Sequence, residues 1–265
     1  MSIASIQIGD LTVSRMILGG NPFSGFSHQS AEKDRAMRRY YTTARIKQTL
    51  RQAEELGINT FLGRADHHIQ RVLFEYWDEG GAIQWFAQTC PEYGSIDNNI
   101  GEAADAGASA CYLHGGWMDF VFAQDRLDEV PGAIARIRDA GLPAGIAAHR
   151  PEVLAWGEEH LDVDFYMCSY YNPSPRDERP EGNRQVERYG AEDRAAMVAA
   201  IRHLSKPAIH YKVLAAGRND PQQAFVFVAQ HLRSQDAVCI GVYTEHQPHM
   251  LREDLELLER SIATA

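Results

Sequence analysis

The sequence lacks the features that mark membrane, secreted and nucleic-acid-binding proteins. Its 265 residues contain no run of 18 apolar residues, and its first ten residues lack the basic and apolar regions of a signal peptide. Acidic residues outnumber basic ones by 36 to 26, so no nucleic-acid partner is expected. The four cysteines form no CxxC pair. We therefore expect a cytoplasmic protein with reduced thiols, no membrane partner and a small-molecule substrate.

Short apolar runs alternate with segments of helical periodicity. The runs Ile6–Ile8 and Leu11–Val13 flank Gly9-Asp10 and predict a β-hairpin. Eight further runs predict strands: Met16–Leu18, Thr60–Leu62, Ile83–Ala87, Ala110–Leu113, Ala144–Ala147, Phe165–Cys168, Ala208–Tyr211 and Val238–Val242. Helical periodicity predicts helices over Ala44–Leu56, 69–79, 97–106, Leu127–Ala140, Ala191–Leu204 and Gln222–Ser234.

Eight strand–helix units with right-handed crossovers predict an α/β fold, a (β/α)8 TIM barrel with an N-terminal β-hairpin. The alternative is a six-stranded doubly wound sheet, but no GxGxxG motif occurs. We expect one domain spanning residues 1–265. The excess of arginine over lysine is typical of a GC-rich bacterial gene.

Chemistry in such barrels is carried by residues at the carboxyl ends of the strands. Five of the eleven histidines follow predicted strands directly: His67, His68, His114, His149 and His210. This concentration on one rim is the strongest functional signal in the sequence. Imidazoles transfer protons near neutral pH and bind divalent metals, so both roles are open.

Several segments resemble the aldo/keto reductase superfamily, in the same order along the chain. They are Arg15–Gly20, Gly57–Phe61, Cys111–His114, Tyr170–Pro173 and Tyr211–Arg218. The resemblance implies a hairpin at the barrel floor, reduction of carbonyls with NADPH, and a catalytic Asp, Tyr, Lys and His. It also implies that His114 is the catalytic histidine.

The catalytic pattern of that family is largely replaced. Leu62 stands at the aspartate position, His67 at the tyrosine position, and Gln88 or Thr89 at the lysine position, since no lysine occurs between Lys47 and Lys206. A histidine with an ordinary pKa of about 6.5 can transfer protons without a lysine partner. His67 is therefore a candidate for either a reductase or another proton-transfer reaction.

The cofactor positions of the family are also altered. Its strand-five Ser-Asn pair falls on Ala147 and Ala148. The resemblance implies that Tyr211 packs against the nicotinamide of NADPH and that Arg218 or Arg252 meets a phosphate.

The rim residues allow three chemical arrangements. In the first, a divalent metal (Zn, Mn or Fe) is bound by His68, His149, His210 and Glu245. In the second, Lys212 acts as a Schiff-base amine, or only binds substrate. In the third, His67, His114 and His149 transfer protons without metal. The predicted substrate-binding residues are Asn21, Phe23, Trp117, Tyr171, Asn172, Lys212 and Tyr243.

The leading hypothesis is a non-redox enzyme of carbohydrate metabolism, an isomerase, epimerase or lyase, that acts on a polyhydroxylated carbonyl or sugar-derived substrate with metal assistance. The alternative is an NADPH-dependent reductase that uses His67 and His114. A third possibility is a metabolite-binding barrel without catalysis. The segment Ser24–Thr43 is predicted to form a lid over the site.

Overall fold

The barrel is closed at its floor by the predicted hairpin. In the computed structural model, which describes residues 3–180 and 187–265, strands β1 (Ser5–Ile8) and β2 (Leu11–Ser14) pair antiparallel across a turn at Gly9, whose φ is 58°. Glycine tolerates this left-handed backbone without strain. The apolar side chains of Ile6, Ile8 and Val13 pack against the interior of the barrel. The hairpin therefore covers the end of the barrel opposite the strand carboxyl ends.

Eight parallel strands form the closed barrel. They are β3 (Met16–Gly19), β4 (Thr60–Arg64), β5 (Gln84–Gln88), β6 (Ala110–Leu113), β7 (Ala144–Ala148), β8 (Phe165–Ser169), β9 (Ala208–Tyr211) and β10 (Ala237–Ile240). Each strand pairs with the next along the chain, and β10 pairs with β3 to close the ring, with Val238 opposite Met16. The predicted (β/α)8 barrel with an N-terminal hairpin is confirmed.

Alternation along each strand divides the core into two layers. On β6, Cys111 and Leu113 pack outward against the helices, whereas Ala110 and Tyr112 belong to the barrel interior. Because successive strand residues point to opposite faces, neighbouring residues at one strand end have different surroundings. This alternation decides which of the rim residues can reach a site inside the barrel mouth.

Ten α-helices surround the barrel within the described ranges. They are α1 (Ala31–Tyr40), α2 (Thr43–Glu55), α3 (His67–Asp78), α4 (Ile96–Asp105), α5 (Gly115–Ala123), α6 (Val130–Asp139), α7 (Pro151–His160), α8 (Ala191–Ile201), α9 (Pro221–Ala229) and α10 (Met250–Thr264). None of them combines the length and the apolar character that a crossing of the bilayer requires.

Four helices, α1, α5, α7 and α10, were not predicted from the periodicity. Helix α1 occupies the segment expected to be a lid, and the Ser30 side chain caps it by accepting from the Lys33 N–H. Helix α5 begins with Gly115-Gly116 and is buried on almost every side. It therefore lacks the polar face that gives a surface helix its sequence signal.

Candidate active site

A cavity of about 650 Å³ opens at the carboxyl ends of the barrel strands and continues over the rim to helix α10. At the strand ends it is lined by Gln88, His114, His149, Arg176 and Tyr211. At α10 it is lined by Glu253, Asp254 and Leu257. The cavity lies where TIM barrels carry their chemistry, and its size is that of a small-molecule site.

A hydrogen-bonded chain of three side chains lies at the strand ends. The carboxylate of Asp119, on α5, lies 2.7 Å from His149 Nδ1 and also accepts the backbone N–H of His149 at 3.1 Å. The other ring nitrogen of His149, Nε2, lies 3.4 Å from the hydroxyl of Tyr211. We call Asp119, His149 and Tyr211 the relay. Such a chain fixes the orientation of an imidazole and leaves its second nitrogen facing the cavity.

Burial controls the charge of the relay. It raises the pKa of Asp119 to about 7, against the opposing attraction of Arg176. Burial together with the positive charges of Arg176 and Lys212 lowers the pKa of His149 well below its ordinary value. His149 is therefore neutral at pH 7. We assign its proton to Nδ1, which donates to Asp119, so that the Nε2 lone pair is available as a base.

Gly115 is required where the relay touches helix α5. A Cβ at this position would lie 3.1 Å from the Tyr211 hydroxyl and 3.2 Å from His149 Cε1. Any side chain larger than hydrogen would press on both members of the relay. The glycine therefore permits the close approach of the helix to the two rings.

His114 is the second histidine in the cavity. It lies between strand β6 and helix α5, and its backbone N–H donates to the Thr89 hydroxyl at 3.0 Å. Burial and the charge of Arg176 lower its pKa to about 3, so the ring is neutral at neutral pH. Its Nδ1 is buried and has no hydrogen-bond partner among the described residues. A neutral imidazole of this kind can donate to a substrate oxygen without itself carrying charge.

Gln88, which stands at the lysine position of the aldo/keto reductases, and Arg64, which also lines the cavity, make polar contacts at the strand ends. Gln88 accepts a hydrogen bond from the buried Tyr112 hydroxyl at 3.0 Å. Arg64 donates to Asp66 at 2.8 Å and also to Glu92. These side chains form a polar wall of the cavity without the lysine–tyrosine pair of that superfamily.

Of the three predicted catalytic histidines, His114 and His149 line the cavity and His67 does not. His67 is the first residue of α3, its side chain is 79% exposed, and its contacts are Glu102 and the ring of Tyr93 on the outer surface. Asp66 caps this helix by accepting the Ile69 N–H. The chain therefore turns into α3 before His67 and directs it away from the barrel mouth.

The structure does not bring the four predicted metal ligands together. His210 points outward from β9 and is fully buried, with Nδ1 2.9 Å from the Tyr170 hydroxyl and Nε2 3.3 Å from Asp236. His68 is exposed and borders a separate pocket, and Glu245 accepts from the Tyr243 hydroxyl. Within residues 3–180 and 187–265, no three His, Cys, Asp or Glu side chains are grouped to hold a metal ion.

The predicted substrate-binding residues divide into two groups. Asn21, Lys212 and Tyr243 line the cavity. The four others lie outside its lining: Phe23, Trp117, Tyr171 and Asn172. Phe23 packs between Tyr41 and Phe61, and Trp117 is buried on α5 rather than exposed in a loop. Tyr171 accepts from Asn219, and Asn172 supports Arg176.

Tyr211 lines the cavity, but the two arginines predicted to meet a cofactor phosphate do not. Arg218 donates to the His28 carbonyl at 2.8 Å, and Arg252 is exposed on α10. The segment 212–217 forms the wall between Tyr211 and α10. Three of its non-glycine residues have positive φ, namely Lys212 (59°), Ala215 (49°) and Ala216 (55°). Such strained conformations concentrate at ligand sites.

The α10 end of the cavity contains an unsatisfied acid. Asp254 is buried, and its Oδ2 has no hydrogen-bond partner within the described part of the chain. Burial, with a contribution from Glu253, raises its pKa to about 7. A buried polar atom without a partner costs free energy that a bound donor group would recover. The unsatisfied acceptor fits a ligand group that donates a hydrogen bond at this end of the cavity.

Two residues of the candidate site, Asp119 and Arg176, are not among the residues predicted from the sequence. Asp119 is the one ionisable side chain in the apolar helix sequence GGWMDFVFA, and that isolation was a usable signal because a buried carboxylate needs a partner. Arg176 comes from the loop after β8, where nothing in the local sequence separates it from neighbouring surface arginines.

Comparisons with known proteins agree with the fold. No family model and no curated protein matches the chain. Among solved structures, an aldo-keto reductase, AKR11C1 from Bacillus halodurans in its holo form, matches with a TM-score of 0.62 and 14% identity over 100% of this chain and 96% of that one. A mutant of Gox0644 in complex with NADPH matches with a TM-score of 0.60 and 12% identity, covering 100% and 94%.

A truncated 3-deoxy-D-arabino-heptulosonate 7-phosphate synthase from Thermotoga maritima is also similar, with a TM-score of 0.58 and 11% identity over 99% of this chain and 93% of that one. The barrel is thus shared with enzymes of more than one reaction type, and identities this low carry the fold alone. The N-terminal hairpin, the closed eight-stranded ring and the full-length matches show that this chain has an aldo-keto-reductase-like (β/α)8 fold.

Proposed function

We propose that the protein is an enzyme that moves protons on a small carbonyl or sugar-derived substrate, without net oxidation or reduction, as an isomerase, epimerase or lyase does. The observation that carries this proposal is the relay, in which Asp119 orients His149 so that Nε2 faces the cavity. An oriented neutral imidazole in a closed site is the usual general base of such reactions.

The two histidines take complementary roles in this proposal. His149 Nε2 accepts the proton from the carbon next to the substrate carbonyl, and the developing negative charge moves to the carbonyl oxygen. His114, which is neutral, donates a hydrogen bond to that oxygen. Return of the proton to the former carbonyl carbon, together with transfer of the hydroxyl proton of the first carbon to the former carbonyl oxygen, gives an isomer. Return of the proton to the other face of the same carbon gives an epimer.

Solvent exchange tests the proposal without knowledge of the product. The protein in D2O would be incubated with D-fructose, D-xylulose and 2-oxo-D-gluconate, and loss of the α-proton signal would be followed by NMR. We expect exchange that His149→Asn abolishes and that His203→Asn, a substitution of an exposed histidine outside the cavity lining, leaves unchanged. Exchange that is equal in both variants would contradict the proposal.

NADPH-dependent carbonyl reduction is a second candidate, and one observation favours it. The cavity continues from Tyr211 along the strained segment 212–217 to Asp254, so its lining joins the barrel mouth to helix α10. A structural neighbour of this fold binds NADPH. The chemistry that NADPH supplies when bound is hydride donation. In that case Tyr211 would hold the nicotinamide, and the same relay would supply the proton to the carbonyl oxygen.

A titration with NADPH and NADH, followed by tryptophan fluorescence, separates the two candidates. Saturable binding at micromolar concentration, weakened by Asp254→Ala, favours the reductase. No binding at millimolar cofactor, together with α-proton exchange, supports the non-redox enzyme. Ligand affinity with neither exchange nor oxidation of the cofactor would indicate a binding barrel.

A further inference from the structure

A buried arginine lies beside the relay and forms only a long ion pair with it. Arg176 is only 8% exposed and lines the cavity. Its Nη1 donates to Asn172 Oδ1 at 3.1 Å and to the Ser174 carbonyl at 2.9 Å. Within the described ranges no carboxylate forms a hydrogen bond with it, because Asp119 Oδ2 lies 3.8 Å from Nη1. The guanidinium is thus held in place by neutral acceptors.

Two of the three remaining N–H donors of Arg176 lie on one edge of the guanidinium. A guanidinium has five N–H groups, and Nη1 uses both of its own on Asn172 and Ser174. Nη2 lies 3.4 Å from His149 Nε2, and Nε has no acceptor among the described residues. The Nε–Nη2 edge presents two parallel N–H donors, which is the geometry that binds a carboxylate bidentately.

The electrostatics of the site agree with an anionic ligand. A buried cation is unfavourable unless it is paired, and among the described residues Arg176 has only the long ion pair with Asp119, at 3.8 Å and without a hydrogen bond. Of the charged groups that lower the pKa of His114 and of His149, Arg176 has the largest effect. By contrast, the nearby Arg64 already donates to two carboxylates, those of Asp66 and Glu92.

We propose that Arg176 binds the carboxylate of the substrate, which is therefore a 2-hydroxy or 2-oxo carboxylic acid, including acidic sugars. The carboxylate occupies the Nε–Nη2 edge, and because Nη2 is adjacent to His149 Nε2, the carbon that carries the exchangeable proton comes to lie near the base. This carbon is C2 in a 2-hydroxy acid and C3 in a 2-oxo acid. The role of His149 rests on the proposed function, whereas the recognition of the acid by Arg176 does not.

Matched pairs of acid and alcohol test this assignment. Binding to the full chain would be measured by calorimetry for D-gluconate against D-glucitol, and for L-lactate against propane-1,2-diol, with inorganic phosphate as a further probe. The variants are Arg176→Gln, Arg176→Lys and, as the control of equal charge change, Arg150→Gln. The Arg150 side chain contacts Phe122 and Asp177 and does not line the cavity.

We expect each acid to bind at least about tenfold more tightly than its alcohol, and Arg176→Gln to remove that advantage while Arg150→Gln keeps it. Arg176→Lys keeps the positive charge but loses the two parallel N–H donors, so its affinity for the acids should lie between those of the wild type and Arg176→Gln. If Arg176→Gln does not fold, Arg176→Lys still tests the role of Arg176. Equal binding of acid and alcohol, or no acid binding up to about 50 mM, would overturn the assignment. Phosphate that binds more tightly than both acids through Arg176 would overturn the carboxylate class.

The same measurement separates this inference from the proposed function. His149→Asn should still bind the acids, because binding at Arg176 requires no proton transfer. Acid binding that depends on Arg176, without α-proton exchange in the wild type, would contradict the proposed function but support the recognition of the acid by Arg176. Exchange of neutral substrates without acid binding would have the opposite meaning.

Discussion

The barrel contains two buried histidine–aspartate pairs, one at the end of β7 and one at β9, and their surroundings differ. His149 contacts Asp119 through Nδ1, and its Nε2 faces the cavity beside Tyr211 and Arg176. His210 has both nitrogens occupied, one by the Tyr170 hydroxyl and the other by Asp236, and lies between strand and helices.

The two imidazoles share burial and an acid partner, and they differ in position: His149 lines the cavity, whereas His210 does not. Burial lowers the pKa of both histidines. The two aspartates, in contrast, differ in the direction in which their pKa is shifted. Asp236 is bound by Arg233 and has a lowered pKa, whereas Asp119 has a raised one. Asp236 therefore stays ionised at neutral pH, whereas Asp119 changes its charge near pH 7, as acids at functional sites often do.

The largest expected effect is on activity at His149. His149→Asn keeps a side-chain donor near Asp119 but removes the Nε2 base, so α-proton exchange should fall by about 10³-fold, or about 4 kcal/mol in activation free energy. The thermal midpoint should change little. Measured rates within tenfold of the wild type would show that His149 is not the base.

His210→Ala should show the reverse pattern. The substitution leaves Tyr170 and Asp236 without partners and opens a cavity, so the free energy of unfolding should fall by about 3 kcal/mol. Activity per folded molecule should stay the same. Urea denaturation and exchange rates on the same samples check both halves, and a selective loss of rate would remove the distinction between the pairs.

Asp119→Asn should change the pH dependence of the reaction. The pKa of Asp119 is about 7, and only its ionised form accepts strongly from His149 Nδ1–H, so wild-type activity should rise as pH increases through about 7. The variant should be about 10- to 100-fold slower and lose this limb. A pH profile of unchanged shape would place the titrating group elsewhere.

Gly115→Ala should lower the exchange rate without lowering the stability of the protein, and the loss should be smaller than in the variants above. Alanine favours the helix, but its Cβ presses on Tyr211 and His149, so exchange should fall by about tenfold while stability is equal or higher. Parallel thermal unfolding and exchange assays would check this. Unchanged activity would mean that the relay tolerates displacement.

Asp254 is a third buried acid, without a histidine, and it gives the smallest effect. Its pKa is raised from 3.8 to about 7 on folding, so its contribution to stability is present below about pH 4 and lost as pH rises through 7. Asp254→Asn should therefore raise the free energy of unfolding by about 1 kcal/mol or more at pH 8, with little gain at pH 4. Equal gains at both pH values would contradict this.

The fold could be predicted closely from the sequence because parallel strands buried on both faces read as continuous apolar runs. The site could be predicted only in part. His114 and His149 were found because they follow strands, but the same reasoning selected His210, which the alternation of β9 turns outward. Asp119 and Arg176 come from a helix and a distant loop, so only the folded chain brings them to His149.

The most direct test of His149 as the base is to determine which of its ring nitrogens carries the proton, and this measurement needs no substrate. Nitrogen-15 NMR of histidine-labelled protein, with the signal assigned through His149→Asn, reports which ring nitrogen carries the proton. We predict a neutral ring at pH 7 with the proton on Nδ1 and a bare Nε2. A ring protonated on Nε2, or an imidazolium at pH 7, would contradict the assignment of His149 as the base.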